Sequence, residues 1–275
     1  MSERIHSFRY QLLASVCGKG GIGKTLLSLA TKDLHDLNER PLDLHQLDDQ
    51  QRLEKTVGQE VTSLDIQTLK RARKDPTVIT KVFDPLYAGI ERLPSSNRTI
   101  LLDVGATQVG NLIDYAGLID LDEELRRMRI RSLAMIPCVA EPEAIRQAAK
   151  TIRLFQEVLP SFDLVLVKNL RDGDLTNLST LSQAGQIYAE ELAPYLAHIP
   201  SITMPVIEAG SWRIFEQNHC RLLQVGMMEI EEVQAMTGLS RPEAKLARGD
   251  VLAFFAKMEE ELSKVLHFGG DADAE

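Results

Sequence analysis

The sequence predicts an α/β fold, a doubly wound, mainly parallel sheet with helices on both faces. Short apolar segments alternate with amphipathic ones, which is the pattern of parallel strands joined by crossover helices. A glycine-rich loop joins the first apolar segment to the first amphipathic one, and polar residues follow several later apolar segments. Because ligands bind at the carboxyl ends of parallel strands, we expect the functional site at that edge of the sheet.

The predicted elements follow in a regular order. We predict strands over residues 9–17, 42–47, 99–103, 132–139 and 162–168, with a last strand within 198–206. The apolar spacing predicts helices over 24–37, 144–159 and 241–267, and residues 50–95 are predicted to be mostly helical, with breaks at Gly58, Pro76 and Pro94. The chain of 275 residues, 44% hydrophobic and 26% charged, is expected to form a single domain over residues 1–268, with a disordered acidic tail over 269–275.

The loop after the first strand carries a phosphate-binding motif. Gly18, Gly23, Lys24 and Thr25 satisfy the pattern G-x-x-x-x-G-K-[ST]. Glycines let the backbone form a concave nest of N–H groups, Lys24 would reach the β- and γ-phosphates, and the Thr25 hydroxyl would hold Mg²⁺. The predicted nucleotide contacts in this loop are Gly18, Gly20, Gly21, Ile22, Gly23, Lys24, Thr25 and Leu26.

A second lysine in the loop, Lys19, makes the motif more specific than a general phosphate-binding loop. The stretch Lys-Gly-Gly-Ile-Gly-Lys-Thr resembles the deviant Walker A box of the ParA/MinD/Mrp family of ATPases. In that family the early lysine reaches the phosphates held by the partner subunit of a nucleotide-sandwich dimer. The resemblance covers residues 9–210, most closely in this box, and implies ATP and Mg²⁺ as ligands, a homodimer on ATP binding, and catalytic roles for Lys19 and Lys24.

The same resemblance implies functional roles for two further segments. The apolar stretch that ends at Asp103 looks like a Walker B strand, which implies that Asp103 holds the Mg²⁺ shell opposite Thr25. Residues 46–50 fall where the family often has Asp-x-Asp-Pro-Gln, so Asp48 matches the carboxylate that activates the attacking water. Gln46 and Asp49 depart from that pattern and predict slow hydrolysis. From the residues alone, both carboxylates could equally belong to polar turns after strands.

Four residues later in the chain also have predicted roles, two as contacts to the adenine base and two as charges at the start of a helix. Asn169 ends a predicted strand where family members place an amide that contacts adenine, and Pro200 lies in a segment that resembles the one closing over the base. Glu141 and Glu143 precede a long helix, and we interpret them as favourable charges at its N-terminus.

Charge and cysteine content bear on partners and location. The net charge of −9 disfavours a surface that coats DNA, although two local basic patches, residues 70–74 and 126–131, would offer a surface for nonspecific DNA. Acidic residues precede the second patch, so it could equally be a solvated helix. Cys17, Cys138 and Cys220 lack metal-binding spacing and, with no apolar signal-peptide core at the N-terminus, predict a cytoplasmic location.

The last predicted helix bears on membrane binding. Its apolar stripe includes Leu246, Val251, Leu252, Phe255, Met258, Leu262 and Leu266. Glu259, Glu260 and Glu261 would be repelled by anionic lipid, so we expect this helix to pack on the domain or on a partner helix.

The functional hypothesis is an ATP-dependent, dimerising ParA/MinD-like ATPase that acts as a switch for positioning or partition, of the plasmid-partition or conjugal-transfer type. It would hydrolyse ATP to ADP and phosphate and work with a protein activator or cargo adaptor. Two alternatives remain open: a nucleotide-binding regulator with little hydrolysis, and a small-molecule kinase or ligase that uses the same loop and leaves Lys19 idle.

Overall fold

The computed structural model describes residues 10–48, 52–58, 61–71, 75–207 and 210–266. Within them, seven parallel strands form one sheet in the order β3-β2-β4-β1-β5-β6-β7. The strands are β1 Leu12–Ser15, β2 Leu42–Leu47, β3 Val61–Ser63, β4 Thr99–Val104, β5 Ser132–Cys138, β6 Phe162–Asn169 and β7 Ser201–Met204. The helices are α1 Lys24–Leu37, α2 Arg52–Val57, α3 Ile66–Arg71, α4 Pro76–Arg92, α5 Val109–Leu118, α6 Leu121–Arg127, α7 Pro142–Val158, α8 Gln183–Ile187, α9 Ala193–Leu196, α10 Trp212–Gln217, α11 Leu222–Met227, α12 Ile230–Thr237 and α13 Arg241–Leu266.

Alternation along the strands divides the core between the two faces of the sheet. Leu12 and Ala14 of β1 belong to one buried cluster, whereas Leu13 belongs to the other. Helices α4, α5 and α7 cover the first face, and α1, α11 and α13 cover the second. Because successive strand residues point to opposite faces, a continuous apolar strand such as β1 requires helices on both sides. The doubly wound α/β class predicted from the sequence is therefore confirmed.

Most predicted boundaries agree with the structure to within two residues, but two parts of the prediction depart further from it. The region 50–95 contains the short strand β3, which the sequence reasoning assigned to helix, because three residues are too few to show strand alternation. The first strand is shorter than predicted and covers Leu12–Ser15. The single domain over residues 1–268 stays a prediction, and the acidic tail lies outside the described residues.

Helix α13 packs on the sheet, in agreement with its prediction. Its buried residues join the second core cluster, whereas Leu246 and Leu252 of the apolar stripe are 58% and 39% exposed and do not pack into it. Glu261 instead faces inward, and its carboxylate accepts a hydrogen bond of 2.7 Å from the backbone N–H of Thr203 on the edge strand β7. No helix among the described residues is long and apolar enough to span a membrane.

We expect acid to destabilise the protein through His35 on α1. Burial lowers the pKa of His35 from 6.5 to about 4, and the charges of Lys32 and Arg40 act in the same direction. A lowered folded-state pKa means that this stability is present above pH 6.5 and is lost as the pH falls through 4. The shift corresponds to about 3 kcal/mol, which urea unfolding at about pH 7.5, 6 and 5 would measure. In His35→Gln the pH dependence should be smaller, and an equal dependence would contradict this assignment.

Candidate nucleotide-binding site

The glycine-rich loop runs from the carboxyl end of β1 to the start of α1, near the middle of the sheet. Gly23 closes the loop with φ of 93°, a left-handed conformation that favours glycine. A Cβ atom on Gly23 would also lie 2.5 Å from Met204 Cε and 2.9 Å from Asn169 Nδ2. The backbone at this point therefore adopts its conformation only because residue 23 has no side chain.

The other loop residues differ in exposure. Gly20 and Gly21 are exposed, so their backbone is accessible to a ligand, whereas Gly18 is partly buried. Ile22 is buried in the first core cluster and Leu26 packs partly against the second. Side chains of the loop thus pack on both faces of the sheet, while Gly20 and Gly21 stay open to solvent.

Lys24 lies across the inside of the loop. Its Nζ atom donates a hydrogen bond of 2.6 Å to the backbone carbonyl of Lys19. Burial lowers the pKa of Lys24, and the charges of Asp103 and Asp48 oppose that effect. The ammonium group is therefore held in a concave, partly dehydrated position, where it is suited to bind a phosphate oxygen.

Thr25 and Asp103 are in contact, as the metal-site prediction requires. The Thr25 hydroxyl donates to Asp103 Oδ2 and the Ser28 hydroxyl donates to Asp103 Oδ1, both at 3.1 Å. Burial raises the pKa of Asp103 to about 6, while both hydroxyls act to lower it. A hydroxyl beside a carboxylate is a ligand set that Mg²⁺ accepts, so these residues fit the ion. Ser28 was missed, although its spacing of three from Thr25 placed both on one helix face.

Gln46 and Asp48 lie in different environments, although the sequence reasoning took both from one family-like segment. Gln46 is buried, and its Oε1 atom accepts a hydrogen bond of 3.1 Å from the backbone N–H of Glu54 in α2. Asp48 contacts the segment that follows β4, since a Cβ atom on Gly105 would be 2.7 Å from Asp48 Oδ1. The charge of Asp48 acts on both Lys24 and Asp103. Asp49, the other departure from the family pattern, lies outside the described residues.

Lys19 is held at the rim of the loop by Glu141 of the same chain. Its Nζ atom lies 3.1 Å from Glu141 Oε1, and the two side chains are 30% and 43% exposed. Glu141 is the N-cap residue of α7, but its side chain makes no capping hydrogen bond. Glu141 therefore lies at the helix N-terminus, as expected for a favourable negative charge, and also pairs with Lys19.

Residues at the carboxyl end of β6 form hydrogen bonds to the backbone of the glycine-rich loop, residues 18–25, which we call the phosphate loop. The Asn169 amide donates a hydrogen bond of 3.0 Å to the carbonyl of Ile22 and accepts one of 3.0 Å from the backbone N–H of Arg171. The Arg171 guanidinium donates to the carbonyl of Gly21 and pairs with Asp172. In this structure, both ends of the Asn169 amide bind protein, and its contact with adenine stays a prediction. Arg171 was missed because no motif marks it.

Pro200 is not brought to this site. It is exposed and precedes β7, and its carbonyl accepts a hydrogen bond from the backbone N–H of Leu166. The residue of β7 that meets the loop is Met204, which pairs with Asn169 across the strands. Strand β7 carries the chain four residues beyond Pro200 before it reaches the edge of the sheet that holds the loop, and the contact of Pro200 with the base stays a prediction.

The second basic patch is extensively paired with acidic residues. Arg126 pairs with Asp122 and Glu123, and Arg127 pairs with Glu124. These contacts favour the solvated-helix interpretation of the patch. The first patch, residues 70–74, lies largely outside the described residues. The three cysteines are free and buried, and no cluster of metal-ligating residues occurs in the described part of the chain.

No protein-family model matches the chain, and no curated protein matches it. Three similar solved structures cover 88% of the chain each. The MinC:MinD cell division protein complex of Aquifex aeolicus is 14% identical, with 95% of that chain covered and a TM-score of 0.45. An ATP complex of a Cyanothece McdA variant is 13% identical, with 98% covered and a TM-score of 0.47. The MinD cell division protein of Aquifex aeolicus is 14% identical, with 97% covered and a TM-score of 0.43.

Proposed function

We propose that this chain is an ATPase of the ParA/MinD type that forms a homodimer on ATP binding. The observation that carries the proposal is the separation of the two lysines of the loop. Lys24 lies inside the loop, whereas the Lys19 side chain lies at its rim, partly exposed and directed to Glu141. A cation at the rim can stabilise the phosphate charge of a second subunit, which explains why the loop contains both lysines.

The nucleotide would be held by the backbone of the open glycines and by Lys24. Thr25 and Asp103 would hold Mg²⁺, which neutralises phosphate charge when bound. Asp48 would orient and activate the attacking water from the side of the loop facing β2. Hydrolysis to ADP and phosphate would remove the group that Lys19 binds across the dimer and so allow the subunits to separate.

The biological task we propose is positioning or partition, of the plasmid-partition or conjugal-transfer type, inside the cytoplasm. A protein activator or cargo adaptor would bind the dimer, because a two-state protein acts on others only through a partner that binds one state better than the other. Nonspecific DNA would be a further partner only through a local patch, since the net charge is −9.

A second candidate is a nucleotide-binding regulator with little hydrolysis. The position of Gln46 favours it, because that side chain binds the backbone of α2 and supplies no carboxylate to the site. A small-molecule kinase or ligase that uses the same loop would not need Lys19 at the rim.

Light scattering of the full chain with ADP and with ATP–Mg²⁺ tests the proposal. We expect a monomer of 30.7 kDa with ADP and twice that mass with ATP–Mg²⁺. A mass that does not change with nucleotide would contradict the dimer and favour the kinase or ligase alternative.

We expect Asp48→Asn to reduce phosphate release from ATP by roughly 100-fold, because general-base catalysis contributes about that much. The ATP-dependent dimer should persist in this variant, since Asp48 is not required to hold phosphate. Asp49→Asn removes the neighbouring charge and serves as the control, with a rate within about twofold of the parent. Equal rates for Asp48→Asn and the parent would favour the regulator.

A further inference from the structure

An open groove of about 690 Å³ lies between helices α11 and α12. Each helix contributes a pair of side chains spaced by four residues, Leu223 with Met227 and Glu232 with Met236. Because residues four positions apart lie on one face of a helix, each helix presents a single face to the groove. We call this the methionine groove and define it by the lining residues Arg221, Leu223, Met227, Met228, Glu232 and Met236.

The surface of the methionine groove is largely apolar and accessible. Leu222, Val225 and Val233 attach the two helices to the second core cluster. Met227 is 76% exposed and Met236 is partly exposed. Methionine side chains are unbranched and polarizable, so they adapt to the shape of a partner. Exposed apolar grooves between helices are typical of surfaces that receive an amphipathic helix.

The charge beside the methionine groove is negative. Arg221 is neutralised within the chain, because its Nε atom lies 2.7 Å from Asp33 Oδ1 and its guanidinium also pairs with Asp36. Glu232 lines the groove and Glu229 precedes α12; both are exposed, and no cation of the described residues lies within ion-pair distance of either carboxylate. Their side chains instead accept hydrogen bonds from backbone N–H groups at the start of α12. These two negative charges favour a partner that carries cations beside its apolar face.

We propose that the methionine groove binds a basic amphipathic helix of a partner protein. The apolar face of that helix would lie on Met227 and Met236, and its Lys or Arg side chains would pair with Glu229 and Glu232. A second copy of this chain fits poorly, because a two-fold contact would place these carboxylates opposite the same carboxylates. Residues 267–275 carry three acidic residues and no lysine or arginine, so they also lack the required charge.

The methionine groove lies away from the phosphate loop. Helix α1 begins at Lys24 beside that loop, and its last turns contact Arg221 through Asp33 and Asp36. Asp36 is 12 positions beyond Lys24, which corresponds to about 18 Å along a helix. The proposal therefore does not depend on the ATPase function, and binding is measured without nucleotide.

The test uses the full chain and three synthetic peptides of about 18 residues, a length that supports a helix. The first peptide contains leucine and lysine, with the leucines at helical spacing along one face. The second replaces each lysine by glutamate. The third keeps the composition of the first but disperses the leucines around the helix.

Methyl ¹H–¹³C NMR spectra of the methionines would locate the bound peptide. We expect the first peptide to shift the resonances of Met227, Met228 and Met236 and to bind with a dissociation constant below about 100 μM. The second and third peptides should bind at least about tenfold more weakly, because they lack the matching charge or the apolar face.

Variants separate the groove from general attraction to an acidic protein. Met227→Ser should weaken the first peptide about tenfold, whereas Leu181→Ser, at a leucine that is 89% exposed elsewhere on the chain, should not. Combined Glu229→Gln and Glu232→Gln should also weaken it about tenfold, since glutamine keeps the capping hydrogen bonds and removes both charges. Glu259→Gln, at an exposed carboxylate of α13, is the charge control.

Absence of binding by the first peptide, or binding that Met227→Ser leaves unchanged, would overturn the proposal. Equal affinity for the second or third peptide would also overturn it, as would shifts confined to methionines outside the groove. A mass in light scattering that rises with protein concentration, and does not rise in Met227→Ser, would assign the groove to a second copy of the chain instead.

Discussion

Replacement of Lys19 by alanine is expected to abolish the ATP-dependent dimer while ATP still binds the monomer. Lys19 lies at the rim of the loop and does not fill the phosphate cradle, which Lys24 crosses. Loss of a charge that pairs with phosphate across an interface typically costs about 2–5 kcal/mol, so the dimer should weaken by about 30-fold or more. Light scattering with ATP–Mg²⁺ measures the mass, and fluorescence titration with an ATP analogue measures monomer affinity. A Lys19→Ala dimer as stable as the parent would contradict the role of Lys19 between subunits.

Glu141→Gln is expected to change the dimer in the opposite direction. The ion pair within one chain holds Lys19 at 3.1 Å from Glu141 and competes with any reach towards a partner. A partly exposed pair contributes about 1 kcal/mol at most, so its removal should strengthen the dimer up to about fivefold. Glu143→Gln is the matched control, because this carboxylate lies in the first turn of the same helix and contacts Gln147. A weaker Glu141→Gln dimer would show that Glu141 supports the interface.

Lys24→Ala is expected to reduce ATP affinity by about 100-fold or more. With the loss of the dimer in Lys19→Ala, this is one of the two largest effects that we expect. The Lys24 ammonium is the cation held inside the loop, and charge-assisted bonds to phosphate are among the strongest polar contacts in proteins. The melting temperature should change little, because the variant also removes a cation that burial destabilises. Calorimetric titration with ATP–Mg²⁺ measures the affinity.

Lys19→Ala provides the comparison for this second prediction, because it removes a lysine from the same loop and should retain ATP binding. If both variants lost ATP affinity equally, the two lysines would share one role and the distinction between them would fail. Lys24→Ala with unchanged affinity would place the nucleotide elsewhere.

Predictions from the sequence succeeded where one short segment contains all the residues involved. Strand β2 was predicted at the observed limits, because its residues are contiguous. Thr25 and Asp103 lie in hydrogen-bond contact although 78 positions separate them, and their role as metal ligands stays a prediction. Strand β3 was missed because three residues give no periodic signal. For Pro200, the sequence shows that a strand is near but not which end of that strand reaches the loop.

The sequence by itself determined the α/β class and the glycine-rich loop with its two lysines, because apolar periodicity and glycine spacing are properties of neighbouring residues. Only the tertiary structure decided which distant side chains surround that loop. Glu141 lies 122 positions from Lys19, and Asn169 lies 147 positions from Ile22. Packing of parallel strands brings their carboxyl ends to one edge of the sheet, and contacts across that edge depend on strand order and register, which no local pattern encodes.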